Sequence, residues 1–239
     1  MVRCGSWGFR RSLRLRGEIM ANNGNQKWRL DHLLEGIVEV PHNLSAIEVS
    51  GLSVDSRRIS SGDLFLALAG GNLNGADFVN QARGCGAVAY LWEQGDINIY
   101  GGIRTTALRD KLGLIASRFY GDPSARLRIA AVTGTDGKSS VTHFIASAME
   151  MIEGGAGVIG TLGNKLMGSE MENGNVATHT TPPPIELQHL LRKMVEQDGN
   201  SVALEASSHR IAQLSPSGCA INSAALTQLV RGRCGICCT

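Results

Sequence analysis

Short apolar runs alternate with amphipathic stretches along most of the chain, a pattern that predicts strands exchanging with helices. Trp28-Arg29-Leu30-Asp31-His32-Leu33-Leu34 reads as a first helix. From about Leu52 to Trp92 short strands with turns follow. Residues 63–68 suit a buried strand bounded by Gly62 and Gly70-Gly71, 76–83 have helical character, and 87–91 read as another buried strand. Leu112, Ile115, Ala116 and Phe119 fall at helical spacing until Gly121-Asp122-Pro123 breaks the helix, the best domain boundary in the chain. Beyond it come a strand over 127–132, a glycine-rich turn, and a helix with Val141, Phe144, Ile145, Ala148 and Ile152 on one face. Gly157-Val158-Ile159 suggests a further strand. Residues 182–184 start a helix bearing Leu187, Leu190, Leu191, Met194 and Val195, and 201–204 form another short apolar strand. The fold class expected is α/β: a small unit over 28–123, then a doubly wound parallel sheet, incomplete, over 124–229.

Composition narrows the classes. With 43% apolar and 18% charged residues over 239 positions, the chain is that of a globular protein with enough interior for real cores. The net charge of +2 argues neither for nor against nucleic acid, and no apolar run is long enough to cross a bilayer; the partners expected include no nucleic acid and no membrane. Cys234, Cys237 and Cys238 form a C-x-x-C-C cluster without a second Cys/His pair beside it, so no zinc site is expected. Residues 1–27 form a basic and polar extension expected to be disordered. Residues 1–19 hold five arginines and the single acid Glu18. They read as upstream translation before a natural start at Met20, with a cytoplasmic protein following from it. The alternative is a transit peptide, which is basic and poor in acids, and a plastid location.

The strongest chemical signal is Thr133-Gly134-Thr135-Asp136-Gly137-Lys138-Ser139-Ser140, set between a strand and an amphipathic helix. Glycines let backbone approach phosphate, and a helix start aims N–H groups and a positive dipole at it. Lys138 neutralises outer phosphates in such a loop, and the Ser139 hydroxyl is a magnesium ligand. Val132 stands where the general phosphate loop has its first glycine, so the loop is a shortened form. ATP and magnesium are the cofactors this implies.

The shortened loop T-G-T-x-G-K-[ST] is similar to that of the Mur ligases and of folylpolyglutamate synthetase. Ser53-Val54-Asp55-Ser56-Arg57, followed by Gly62-Asp63-Leu64-Phe65-Leu66-Ala67-Leu68, resembles the N-terminal UDP-binding domain of the Mur side. Gly160-Thr161, His179-Thr180-Thr181-Pro182 and Glu205-Ala206-Ser207-Ser208-His209 favour its MurE branch. The resemblance spans roughly residues 28–229. It implies an ATP-dependent amide-bond ligase of peptidoglycan precursor synthesis. ATP phosphorylates a carboxylate of UDP-N-acetylmuramoyl-L-alanyl-D-glutamate, and the amine of a diamino acid (meso-diaminopimelate or lysine) attacks the acyl phosphate. By the same resemblance Gly134, Thr135, Asp136, Gly137, Lys138, Ser139 and Ser140 hold ATP. Val54, Ser56, Gly71, Asn72, Leu73, His179, Thr180, Thr181, Ser207 and Gln213 meet the UDP-linked substrate. Ser139, Glu205 and His209 are magnesium ligands, and Lys138, Glu205 and His209 are the catalytic set. Plainer roles stand beside these: an Asp55–Arg57 structural ion pair, and Ser207 and Ser208 as helix-capping hydroxyls.

The sequence also departs from that pattern. Asp136 replaces a usual asparagine, placing a carboxylate where phosphates are expected. His179 also replaces an asparagine, and Ser215 an arginine. After Leu229 the match stops, and 230–239 read as an aberrant tail, from a frameshift, an alternative exon or a sequence error. On that reading this chain is a fragment that does not complete the ligation alone. Two other readings stay open. One is a different ligase of the same fold, against which the segments at 179–182 and 205–209 argue. The other is a non-catalytic Mur-like nucleotide-binding or scaffold protein, which the arginine-rich start, Asp136 and Ser215 favour.

Overall fold

The computed structural model describes residues 27–70, 74–95, 97–166, 169–170, 181–207 and 217–228. The chain enters through strand β1 (Trp28–Arg29), turns into helix α1 (Leu30–Leu34) and returns as β2 (Glu48–Val49), antiparallel to β1. The first helix thus begins two residues later than its apolar spacing suggested, because Trp28 and Arg29 are committed to pairing with Val49 and Glu48.

A four-stranded parallel sheet follows, built from β3 (Gly51–Ser53), β4 (Asp63–Ala67), β5 (Ala89–Trp92) and β6 (Gly102–Arg104) in that order. Helix α2 (Val79–Gly84) connects β4 to β5, and α3 (Leu108–Phe119) follows β6. The helical stretch read over 76–83 opens as a 3-10 turn, Gly75–Phe78, which the Asn74 side chain caps by accepting from Ala76 N at 3.1 Å. Strand residues alternate between two cores. Leu64, Leu66, Ala89, Leu91 and Ile103 pack with α1 and α3, while Phe65, Ala67, Tyr90 and Trp92 pack with α2 on the other face.

The break after α3 has a physical cause. Asp122 adopts a left-handed backbone (φ 50°) and is pinned there, its N–H donating to Ser117 O at 2.8 Å and its carboxylate accepting from Ser117 Oγ at 2.9 Å. The chain then forms β7 (Arg128–Thr133), α4 (Lys138–Glu153), β8 (Ala156–Gly160), β9 (Gly163–Leu166), β10 (Ser169–Glu170), α5 (Pro184–Glu196), β11 (Ser201–Glu205) and β12 (Ser223–Leu226). Their sheet has the order β10-β9-β8-β11-β7-β12, parallel from β8 through β12. The antiparallel pairs β8–β9 and β9–β10 extend one edge, and the apolar pattern did not announce them.

Helices α5 and α4 cover opposite faces. Leu187, Leu190, Leu191 and Met194 of α5 pack on Leu127, Ile129, Ile159, Val202 and Leu204. On the other face Ala146 of α4 meets Val158 and Ala203, with Ile145 at the margin. The apolar row expected along α4 is therefore turned mostly outward: Phe144 is 73% exposed and Ile152 77%, while Thr142 and Ala146 are buried. The strand side chains below α4 are small, and the side of the helix that seats against them is its smaller one. Helices α3 and α5 join the two sheets: Ile185 packs against the first core, and the Tyr120 and His189 rings lie 5.3 Å apart.

Candidate functional site

Strand β7 ends at Thr133, and the next residues turn sharply into α4. Gly134 (φ 135°) and Gly137 (φ 76°) take backbone angles that L side chains rarely adopt. A Cβ at Gly134 would lie 2.2 Å from Thr227 Oγ1, so this glycine also makes room for the end of β12. Gly137 caps α4, whose first turn is Lys138, Ser139 and Ser140. The start of this 16-residue helix points N–H groups and the positive end of its dipole into the turn. Lys138 Nζ donates to Gly134 O at 3.0 Å and Thr135 O at 2.9 Å, folding the lysine over the loop. Thr135 and Asp136 are exposed at its tip.

Beside this loop stands Glu205, the last residue of β11, in register with Val132 of β7. It is 1% exposed. One carboxylate oxygen, Oε2, accepts from Thr161 Oγ1 at 2.9 Å, whereas the buried Oε1 has no hydrogen-bond partner among the described residues. A Cβ at Gly160 would come within 2.6 Å of this carboxylate, so only glycine at the end of β8 leaves room for it. Thr181 is fully buried, and its hydroxyl donates to Glu205 O at 2.7 Å and accepts from Ser207 N at 3.1 Å. That staple fixes the backbone where β11 ends. Parallel α/β sheets place their ligand crevice at these carboxyl ends. Gly134 through Ser140, Thr181, Glu205 and Ser207 thus lie at the carboxyl end of the second sheet's strands.

Of the four described members of the expected substrate set, Thr181 and Ser207 lie beside Glu205, whereas Val54 and Ser56 lie just after β3, beside the first sheet. Val54 is 42% exposed, while Ser56 is buried and its hydroxyl donates to Gln81 Oε1 at 2.9 Å. Asp55 and Arg57 between and beyond them form an ion pair, Nη2 to Oδ2 at 2.8 Å and Nε to Oδ1 at 2.9 Å. Hydrogen bonds from the Arg57 side chain and backbone hold the Asp55 carboxyl down at about 2, against a smaller opposing effect of burial. Gly71, Asn72, Leu73, His179, Thr180, His209 and Gln213 lie outside the described residues, as do Ser208, Ser215 and the terminal cysteines. Among the described residues no three His, Cys, Asp or Glu side chains gather into a metal-binding group. None of their helices is long and apolar enough to cross a membrane.

Two residues at the site carried no signal strong enough to give them a role in the sequence. Thr161 belongs to a recognisable Gly-Thr pair, yet only its contact with Glu205 shows what the hydroxyl does. Thr227 sits 91 positions from its partner Asp136, beyond the reach of any local pattern.

Known proteins give this geometry a context. Residues 48–120 match the model of the Mur ligase family catalytic domain, and residues 132–231 match the Mur ligase middle domain. The UDP-N-acetylmuramoyl-L-alanyl-D-glutamate–2,6-diaminopimelate ligase of Alkalilimnicola ehrlichii is 40% identical over 196 residues, covering 77% of this chain and 39% of that protein. The ligase of the same name from Coxiella burnetii is 38% identical over 190 residues, covering 77% of this chain and 38% of the relative. That of Gloeobacter violaceus is 34% identical over 206 residues, covering 85% and 41%. The chain therefore spans about two fifths of the length of these relatives. A solved structure of a ligase of that name superposes with a TM-score of 0.74 at 27% identity, over 87% of this chain and 42% of the other.

Proposed function

We propose, on the premise that this chain belongs to the Mur ligase family, that it forms the nucleotide-binding part of an ATP-dependent amide-bond ligase of peptidoglycan precursor synthesis. The substrate is UDP-N-acetylmuramoyl-L-alanyl-D-glutamate, and the amine added is 2,6-diaminopimelate. The relatives named for that reaction support this choice over lysine. The observation that carries the proposal is the strand–loop–helix at 133–140 with the buried Glu205 carboxylate in the neighbouring strand.

The loop's work is positioning and charge neutralisation, the main demands of phosphoryl transfer. Lys138, which among the described residues bonds loop carbonyls, exchanges these for phosphate oxygens when nucleotide binds. The N-terminal amides of α4 supply further donors. A precursor carboxylate oxygen attacks the terminal phosphorus of ATP, and ADP departs. The amine nitrogen then attacks the acyl carbon, phosphate leaves with the bonding electrons, and the nitrogen loses its proton.

A divalent cation fits the donor set. Glu205 Oε1 is a hard oxygen, buried and without a partner among the described residues, a costly state that a magnesium ion would relieve. Glu205 and the Ser139 hydroxyl would hold the ion, with His209 as the third member of the proposed set. When bound, magnesium offsets the phosphate charge. Val54, Ser56 and the 71–73 segment are assigned to the uridine end, while Thr181, Ser207, His179, Thr180 and Gln213 are assigned to the peptide end. Residues 28–123 and 124–229 are the two domains proposed, and the cytoplasm is the proposed location.

Calorimetric titration of ATP, with magnesium present and with chelator, tests the cation assignment. Removing magnesium should weaken ATP binding at least about tenfold in the unsubstituted chain and at most about twofold in Glu205→Gln. Equal magnesium sensitivity in both would rule Glu205 out as a ligand.

A further inference from the structure

We propose that Thr227, at the end of β12, is a positioning residue for the nucleotide: its hydroxyl turns a peptide of the phosphate loop so that an N–H faces the phosphate. The inference rests on the nucleotide reading above and adds a residue to which that reading gives no role. Thr227 is reached from a strand about ninety residues away in sequence, and the end of β12 touches both arms of the loop. Thr227 N donates to Thr133 O at 2.9 Å, and Thr135 N donates to Gln228 O at 3.1 Å. Thr227 Oγ1 lies 2.6 Å from Asp136 O and 3.2 Å from Thr133 O. A hydroxyl has one proton to give, and the shorter contact to Asp136 takes it.

Peptide planarity turns these contacts into a direction. Among the described residues every peptide is trans, and in a trans peptide the C=O and N–H point opposite ways. The Gly134–Thr135 peptide shows the rule at work: its N–H points to Gln228 and its C=O to Lys138 Nζ. The loop therefore has a β12 side and a Lys138 side. Thr227 holds Asp136 O on the β12 side, so the Gly137 N–H of the same peptide faces the Lys138 side. There it joins Lys138 and the first amides of α4 in facing a phosphate. Gly137 takes its positive φ of 76° at the same point, and Gly134 has no Cβ to push Thr227 away.

The test uses the full chain with Thr227→Val, which keeps the shape and removes the donor, and Thr227→Ser, which restores it. ATP and UDP are titrated separately by calorimetry, with magnesium present. Hydrogen exchange of loop amides is followed without ligand. Thr227→Val should weaken ATP binding by about tenfold, the value of one well-placed hydrogen bond, and speed exchange in the loop. Thr227→Ser should stay within about twofold of the unsubstituted chain, and UDP affinity should not move in either variant. Unchanged ATP binding in Thr227→Val would overturn the assignment, as would equal losses in both variants or a parallel loss of UDP affinity. An unsubstituted chain that binds UDP but not ATP would instead remove the nucleotide reading, and this assignment with it.

Discussion

The first sheet, β3 to β6, has a core on each face: Leu64, Leu66 and Leu91 pack with α1 and α3, and Phe65, Tyr90 and Trp92 with α2. Among the described residues the second sheet has a comparable core only beneath α5. On its α4 face the buried set is Ala146, Val158 and Ala203, while Phe144, Met151 and Ile152 stand in solvent. The less filled face is also the one that carries the phosphate loop and Glu205. Gly134 and Gly160 leave gaps there that Thr227 and Glu205 occupy, so atoms that elsewhere fill a core are given up to bring polar groups together. One face is organised by apolar volume, the other by hydrogen-bond geometry, and the two should answer differently to substitution.

The largest effect is expected in the α5 core. Leu191→Ala, at a fully buried position, should lower unfolding stability by about 2–5 kcal/mol in urea titration. A loss below 1 kcal/mol would mean that this face is as loosely filled as the other. Next is Asp136→Asn at the exposed loop tip, which should raise ATP affinity by about fivefold by removing a carboxylate from beside the phosphates. Unchanged affinity would place Asp136 too far from them to matter. The smallest effect is expected at Phe144. Phe144→Ser should shift stability by no more than about 0.5 kcal/mol and reduce concentration-dependent association, because the ring is already 73% exposed. A loss of about 3 kcal/mol would show that the ring is buried in solution and remove the contrast between the faces.

Much of the fold was legible in the sequence because buried parallel strands are short apolar runs and α5 keeps a regular apolar face. The break at Gly121-Asp122-Pro123 and the phosphate loop were legible for a related reason: each depends on residues adjacent in the chain. The burial of α4 was not, because periodicity locates an apolar row without saying whether anything covers it. The hairpin strand β9 was missed because Gly163-Asn164-Lys165-Leu166 has neither an apolar run nor clean alternation. At the site, Lys138 and Glu205 were found through motifs. The contacts around them, from Thr161 and Thr181 to Glu205 and from Thr227 to the loop carbonyl of Asp136, join distant segments and appear only once the strands are set side by side.

We propose that this chain holds two separable ligand sites, one for ATP at the phosphate loop and one for the UDP-linked precursor. Calorimetry with ATP and with UDP-N-acetylmuramoyl-L-alanyl-D-glutamate, on the unsubstituted chain and on Lys138→Ala, tests it most directly. Both ligands should bind the unsubstituted chain, and Lys138→Ala should lose ATP affinity by at least about tenfold while keeping that for the precursor. ATP binding that survives the loss of Lys138, or precursor binding that falls with it, would show that the two sites are not separate in this way.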